Sequence, residues 1–157
     1  VFSMSTGLMH FAFLQILIGA LVAGSDAGRG YPDWPLMAGG FFPPEPLELR
    51  PIWRNFFEDD GMVQFMHRMA GYLLFIFGTV VWLRGRKSAN AGTRFAFNAV
   101  FAMLVVQMVI GIVTVIYSAP WEIAIVHQFG AVVLWALILR ARFLSGYPKA
   151  QSVRGTA

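Results

Sequence analysis

The stretch Met62-Val63-Gln64-Phe65-Met66-His67-Arg68-Met69-Ala70-Gly71-Tyr72 decides how the rest of the chain is interpreted. It places a histidine and an arginine inside an apolar run that is typical of a long helix. Ionisable side chains are costly at membrane depth, so a histidine in such a run marks a candidate functional site. A second histidine occurs in the similar stretch Ile125-Val126-His127-Gln128-Phe129-Gly130. The two histidines form one candidate site if both stretches lie in membrane helices of one bundle.

The composition predicts a membrane protein. Hydrophobic residues make up 57% of the 157 residues and charged residues only 13%, whereas an average soluble domain carries about 25% charged residues. The apolar residues fall into four blocks, each long enough to cross about 30 Å of hydrocarbon. We therefore predict an all-α integral membrane domain, a four-transmembrane-helix bundle, with spans at about residues 3–24, 61–83, 95–117 and 121–143. Cysteine is absent, which excludes disulfides, thiolate catalysis and cysteine metal sites.

A long loop, residues 25–60, connects the first two predicted spans. Six of its residues are proline, which excludes a continuous helix. Aromatic residues lie between the prolines, and such rings favour the headgroup level of a membrane. Residues 51–58 are interpreted as a short interfacial helix that begins with proline. A loop of this length in a compact domain is usually functional, and a lid over a site at one membrane face fits this one.

The charged residues predict the orientation of the bundle. Of the 12 basic residues, four lie in the link 84–94 and four between Arg140 and Arg154, whereas all 8 acidic residues fall towards the opposite face. Cytoplasmic segments of membrane proteins carry the excess of lysine and arginine. The link and the tail 144–157 are therefore expected inside a bacterial plasma membrane or mitochondrial inner membrane. The long loop is expected to face the periplasm or the intermembrane space, and the net charge of +4 does not indicate nucleic acid.

Helix geometry predicts that His67 and His127 lie at the same depth. With a rise of 1.5 Å per residue, His67 lies roughly 9 Å and His127 roughly 10 Å below the outer ends of their spans, whereas His10 lies roughly 21 Å deep. Two imidazoles at equal depth on two helices suit axial ligation of a haem iron from both faces. Without carboxylates they make a poor zinc or di-iron site. We predict His67 and His127 as the metal-binding and cofactor-binding residues, and His10 as a hydrogen-bonding residue between helices.

The residues around the histidines support a pocket for a flat ring. Gly71 and Gly130 lie on the same helical face as the histidine that precedes each, and they leave space there. Gln15 and Gln107 are predicted to hydrogen-bond between helices. Arg68 has two interpretations, as the partner of a haem propionate or of an acidic residue in the outer loop. The predicted apolar walls of the pocket are Phe65, Tyr72, Phe75 and Phe129.

Several stretches together resemble a known family. They are Gly19-Ala20-Leu21-Val22-Ala23-Gly24-Ser25-Asp26-Ala27-Gly28, Tyr31 with Trp34-Pro35-Leu36-Met37, Pro51-Ile52-Trp53-Arg54-Asn55-Phe56-Phe57-Glu58 followed by residues 62–68, Gln107-Met108-Val109-Ile110-Gly111-Ile112-Val113-Thr114, and Ala124-Ile125-Val126-His127-Gln128-Phe129-Gly130-Ala131. In this order they resemble the fifth to eighth spans of haem A synthase, a cytochrome oxidase assembly protein. The resemblance covers nearly the whole chain, and Ser25 departs from it, because a larger apolar residue is expected there.

The resemblance implies a function for the chain as half of a larger enzyme. In this family two similar four-helix halves each carry a histidine pair for a haem. By resemblance, the amino-terminal half holds the substrate haem O, and the present, carboxy-terminal half holds haem b between His67 and His127. The enzyme oxidises a ring methyl group of haem O to a formyl group, which gives haem A for cytochrome oxidase. No catalytic residue is then expected in this half, and its start at Val1 rather than at methionine is what a fragment would show.

The implied partners and the competing interpretations follow from that assignment. The partners are the amino-terminal half with haem O, an electron donor that the sequence does not identify, the lipid bilayer, haem O synthase and a second copy of the chain. One competing interpretation is a stand-alone bis-histidine b-type cytochrome that transfers electrons. Another is a haem-free assembly module whose histidines only bridge helices, which an absorption spectrum distinguishes from both haem-binding proteins.

Overall fold

A computed structural model describes residues 3–150 of the chain, and within them it contains helices and no strand. The helices are α1 (Met4–Gly24), a 3-10 turn (Ile52–Arg54), α2 (Asn55–Glu58), α3 (Asp60–Gly85), α4 (Ala91–Ile116) and α5 (Trp121–Gly146). The four long ones, α1, α3, α4 and α5, are each long and apolar enough to cross a membrane. The predicted all-helical membrane class is therefore confirmed. Of the predicted tail 144–157, residues 151–157 lie outside the described part of the chain.

Side chains that cap the first turn determine where three of the long helices begin. The Ser3 hydroxyl accepts from the backbone N–H of Thr6 at 3.3 Å and begins α1. Asp59 begins α3 with a bond of 2.7 Å from the N–H of Met62. The side-chain oxygen of Asn90 caps α4 in the same way, by accepting from a backbone N–H of its first turn. Helix α4 therefore begins at Ala91, earlier than residue 95, where the sequence predicted the span to begin. Such caps satisfy N–H groups that lack a partner within the helix.

The four long helices form a ring in which α3 and α5 lie across a diagonal. Helix α1 packs against α3 and α5, and α4 packs against the same two helices. The indole of Trp135 on α5 donates to the carbonyl of Met9 on α1 at 3.2 Å. Arg142 joins the same two helices through the hydroxyl of Thr6 at 2.9 Å. Residues on α3 and α5 that point inwards therefore face each other across the centre of the bundle.

The apolar core fills one end of this bundle. All four long helices contribute to it, and the close approach of α3 to α4 depends on two glycines: a Cβ at Gly78 would overlap Leu104, and one at Gly85 would overlap Phe97. Lipid is as apolar as a leucine side chain, so close packing rather than exclusion of water holds this end together. The buried core residues are Leu8, Ala12, Leu74, Val81, Ala96, Phe97, Val100, Leu104, Leu134, Ile138, Ala141 and Leu144. Both conspicuous histidines, at positions 67 and 127, lie nearer the other end.

Residues 25–59 connect α1 to α3 and are called the connecting loop below. Its first part packs closely enough to bury Ala27 and Met37 completely or nearly so. Its last part contains the 3-10 turn and α2, which confirms the short helix predicted at residues 51–58. Asn55, fully buried, holds this part together, because its side chain accepts from the N–H of Leu49 at 2.9 Å and donates to the carbonyls of Leu49 and Ile52.

Candidate functional site

The structure brings His67 of α3 and His127 of α5 together at the centre of the bundle. Their ring centroids lie 6.3 Å apart, and the ring planes are inclined at 87°. The two helices are diagonal neighbours, so the rings meet from opposite sides. The equal depth predicted from the helix rise is the reason that these two side chains meet.

The distance between the two rings matches what one shared metal ion requires. An imidazole nitrogen binds a first-row metal at about 2.0 Å and lies roughly 1.1 Å from its ring centre, so two rings on opposite sides of one metal have centroids about 6 Å apart. The observed 6.3 Å agrees with this value. A ring can turn about its metal–nitrogen bond, so perpendicular ring planes are compatible with this arrangement.

Each imidazole packs against a glycine of the neighbouring helix. A Cβ placed on Gly19 of α1 would lie 3.0 Å from Cε1 of His67. A Cβ placed on Gly111 of α4 would lie 3.1 Å from Cε1 of His127. Both distances are shorter than ordinary carbon–carbon contacts, which lie near 3.5–4.0 Å. The absence of a side chain at these two positions therefore creates the space that the two rings occupy.

A glutamine on the same neighbouring helix bonds to each histidine. The amide nitrogen of Gln15 donates to the carbonyl of His67 at 2.9 Å and lies 3.1 Å from its ring Nδ1. The amide nitrogen of Gln107 donates to the carbonyl of His127, also at 2.9 Å. The interhelical hydrogen bonds predicted for both glutamines are present, and their partners are the candidate histidines.

The space beside Gly71 and Gly130 is occupied by the two glutamine amides. A Cβ on Gly71 would lie 3.2 Å from Nε2 of Gln15, and a Cβ on Gly130 would overlap Oε1 of Gln107. The sequence analysis expected these glycines to leave room for a flat ring. In the structure they allow an amide side chain to reach the histidine's carbonyl instead.

The two halves of the site repeat a short sequence pattern that the sequence analysis missed. Gln15 and Gly19 on α1 belong to the pattern Gln-x-x-Ile-Gly, and Gln107 and Gly111 on α4 belong to the same pattern. In both cases the glutamine bonds to a histidine's carbonyl and the glycine packs against that histidine's ring. The signal that would have revealed the arrangement is this repeat, since residues four apart share one helix face.

Arg68 holds the connecting loop against α3. Its guanidinium donates to the loop carbonyls of Tyr31 at 2.9 Å and Leu36 at 3.0 Å. It also donates to Oε1 of Gln64 at 2.6 Å, and Gln64 in turn donates to the carbonyl of Ala27 at 2.9 Å. Its acceptors are thus an amide and backbone carbonyls, rather than the loop carboxylate that the sequence analysis considered. The guanidinium Nε is buried without a hydrogen-bond partner.

The charge of Arg68 is felt by a carboxylate of the loop. Burial opposes ionisation of Asp33, but the backbone N–H groups of Ala38 and Gly39 and the charge of Arg68 outweigh it, so the pKa of Asp33 lies below its ordinary value. The N–H of Gly39 donates to the carboxylate at 3.3 Å. Arg68 therefore interacts with this acid at a distance while its N–H groups bond to the loop backbone.

Three of the four predicted wall residues contact other aromatic side chains. Phe65 packs on Phe42 of the loop with ring centroids 5.1 Å apart. The hydroxyl of Tyr72 accepts from the indole of Trp34 at 2.8 Å. The remaining two are Phe75, which packs on Phe101 of α4 at 6.3 Å, and Phe129, which is 69% exposed.

His10 lies away from the pair, as its predicted depth implied. It is an exposed residue of α1, nine positions before Gly19, which faces His67. At the α-helical rise, nine residues correspond to about 13 Å along the helix. His10 therefore belongs to a different level of the bundle.

Comparison with known proteins identifies the family. The family model described as "Cytochrome oxidase assembly protein" (COX15-CtaA) matches residues 1–139. "Heme A synthase" of a Ruegeria species is 69% identical over 99% of this chain and 41% of its own length. The proteins of the same name from Roseobacter denitrificans and Paracoccus denitrificans are 68% and 54% identical over 98% and 99% of this chain, which span 40% and 41% of their lengths. No solved structure matches the chain significantly. The resemblance to this family is thereby confirmed, and the chain, which spans about two fifths of these relatives, belongs to the COX15-CtaA family of cytochrome oxidase assembly proteins.

Proposed function

We propose that this chain is the haem b-binding half of a haem A synthase, in which His67 and His127 hold the iron from its two sides. The observation that carries the proposal is the pair of imidazoles 6.3 Å apart between diagonal helices. The chemistry of the site fits a haem, because two imidazoles without a carboxylate suit an iron that already has four porphyrin nitrogens. A haem held by His67 and His127 would supply one-electron transfer.

Buried polar atoms beside the histidines also support a bound group. In the described part of the chain, Nδ1 of His127 and Oε1 of Gln15 and Gln107 are buried without hydrogen-bond partners. Buried polar groups without partners are uncommon and call for an explanation. A histidine that binds metal through one ring nitrogen carries its proton on the other nitrogen, which then needs an acceptor. Binding of the group would therefore change which hydrogen-bond partners these buried atoms require.

The connecting loop has the role of a lid in this proposal. Arg68 and Gln64 fasten it at three backbone carbonyls, one helical turn or less from His67. Exposed aromatic side chains such as Trp34, Phe41 and Trp53 suit the headgroup level of a membrane. The acidic loop and the basic link 84–94 lie at opposite ends of α3, which supports a loop that faces the periplasm.

The remaining length of the relatives supplies the other half of the proposed enzyme. The relatives named above are more than twice as long as this chain, which leaves room for a second four-helix unit. We assign the substrate haem O, and oxidation of its ring methyl to a formyl group, to that amino-terminal half. The half described here has no catalytic residue and relays electrons from a donor. Haem O synthase and a second copy of the protein remain proposed partners in the bacterial plasma membrane.

Substitution of the histidines tests the proposal in the full-length protein. We expect His67→Ala and His127→Ala each to remove a low-spin b-type haem signal from the absorption spectrum, while the far-ultraviolet circular dichroism keeps its helical signal. His10→Ala is the matched control, because it removes a histidine from another level of the same bundle, and it should leave the spectrum unchanged. If both of the first two variants keep the wild-type spectrum, the ligand assignment is wrong.

A further inference from the structure

The two glutamines of the site form hydrogen bonds that the helix backbone does not need. A carbonyl in an α-helix already accepts from the N–H four residues later. The carbonyls of His67 and His127 lie inside α3 and α5, so each has such a bond before the glutamine adds a second one. A carbonyl oxygen has two lone pairs and accommodates both bonds. The glutamines are therefore not needed to satisfy these carbonyls.

The placement of the two amides is the same in both halves of the site. Each glutamine reaches its histidine through a gap left by a glycine, Gly71 or Gly130, on the histidine's own helix. Each lies four residues before the glycine that packs on the imidazole ring. A general interhelical bond can form at any level of a bundle. Here both bonds are of one kind, and each is made to a candidate haem ligand. This pattern indicates that the glutamines control the position of those ligands.

We propose that Gln15 and Gln107 are positioning residues, each of which fixes the height and rotation of one histidine towards the bound haem iron. The inference rests on the proposed role of His67 and His127 as haem ligands. Each glutamine bonds to the backbone carbonyl of its histidine. It therefore holds the whole histidine residue in place, and not only the end of the ring. Because Gln15 comes from α1 and Gln107 from α4, the two neighbouring helices each set one ligand.

The two sites are not equivalent in how the ring itself is held. Gln15 lies within hydrogen-bond distance of Nδ1 of His67, at 3.1 Å. Nδ1 of His127 is buried without a partner, so contact with Gly111 sets that ring on the side of α4. The amide nitrogen can only donate, so this contact is a hydrogen bond only while Nδ1 of His67 carries no proton, whereas iron bound at Nε2 would place the proton on Nδ1. The bond that can hold His67 in the loaded site is therefore the one to its carbonyl.

The ring inclination gives the inference a spectroscopic signature. The angle between two axial imidazole planes controls the anisotropy of the electron paramagnetic resonance signal of low-spin ferric haem, and perpendicular planes give a strongly anisotropic signal. We expect Gln15→Met, in the full-length protein, to reduce that anisotropy and to weaken retention of this haem. We expect Gln107→Met to have the same two effects, because it also removes a 2.9 Å bond to a histidine's carbonyl. Loss of a residue that orients a metal ligand typically weakens binding roughly 10- to 100-fold.

Gln128→Met is the matched control. Gln128 is an exposed amide one residue after His127, so its replacement makes the same chemical change in the helix that carries His127 without removing a bond to a histidine's carbonyl. Retention of haem is measured by transfer to an excess of apomyoglobin. Thermal melts of each variant, followed by circular dichroism, report any loss of helix packing separately from the haem signal.

A glycine variant tests the inference with the glutamine still present. Gly71→Ala places a methyl group 3.2 Å from Nε2 of Gln15 and displaces the amide. We expect it to change the haem signal as Gln15→Met does, and the double variant to show no further change, because both act on one contact. If the glutamine variants lower the melting temperature but keep the wild-type haem signal and haem retention, then Gln15 and Gln107 only join helices and the inference is wrong. A wild-type protein without a low-spin haem signal would instead overturn the proposed function.

Discussion

Replacement of Gly19 or Gly111 by alanine should weaken haem binding without weakening the fold. The added methyl group would lie 3.0 Å from Cε1 of His67 in the first case and 3.1 Å from Cε1 of His127 in the second. A carbon atom at these distances must be relieved by a movement of a few tenths of an ångström. Without haem the ring can make that movement. With iron bound on its far side, the ring is held between the metal and the new methyl group.

The size of the effect follows from the cost of crowding. Forcing an extra methyl group into a well-packed site typically costs about 1–3 kcal/mol. Since each 1.4 kcal/mol is a factor of ten in an equilibrium constant, haem affinity should fall by roughly 5- to 150-fold. The haem-free protein should be unchanged or more stable, because alanine favours a helix over glycine by up to about 1 kcal/mol. Haem affinity should therefore fall while the stability of the haem-free protein stays the same or rises.

The assay compares haem affinity and thermal stability in one set of proteins. Haemin is titrated into haem-free full-length protein and followed by absorption, and the same preparations are melted without haem. Gly24→Ala is the control, because Gly24 is the last residue of α1 and nothing lies within 4 Å of its added Cβ. Affinities of both site variants within a factor of two of the wild type would refute the reasoning that each ring packs between a glycine and the iron.

Two further predictions concern the connecting loop and the helix that carries His67. Arg68→Met removes the bonds to the carbonyls of Tyr31 and Leu36, so limited proteolysis should cut the loop faster than in the wild type, and equal rates would contradict its role as a fastener. Arg50→Met is the control, because Arg50 bonds only to nearby loop carbonyls. Asp59→Ala removes the cap of α3, which should cost about 1 kcal/mol of stability in thermal melts. An unchanged melting temperature would show that the cap does not support α3.

The helical class was predictable from the sequence, whereas the packing order of the helices was not. Four apolar blocks of membrane-spanning length predict four helices, because a span must satisfy its backbone internally. The apolar blocks alone do not indicate which helices are neighbours in the bundle. The position of α3 opposite α5 depends on contacts such as that of Gly78 with Leu104, which exist only once the helices have packed.

The meeting of His67 and His127 was predictable because depth along a helix is simple arithmetic, but their partners were not. Gln15 and Gln107 each donate to a backbone carbonyl, and two of the three acceptors of Arg68 are backbone carbonyls. A carbonyl carries no residue identity, so a search of the sequence for complementary side chains cannot find it. That is why the sequence analysis considered a propionate or a carboxylate for Arg68, while the structure shows three acceptors of which none is charged.

The two ends of the bundle are packed differently, and this difference bears on the proposed haem site. At the end near the 84–94 link, apolar side chains from all four long helices interlock, and two glycines allow the closest approach. At the other end, glycines and glutamines surround the histidines, and hydrogen bonds of Arg68 and Gln64 fasten the loop. A polar bond between membrane helices is worth only about 0.6 kcal/mol on average. If the site holds the proposed haem, we expect the haem to enter at the histidine end, while the packed end keeps the helices in register.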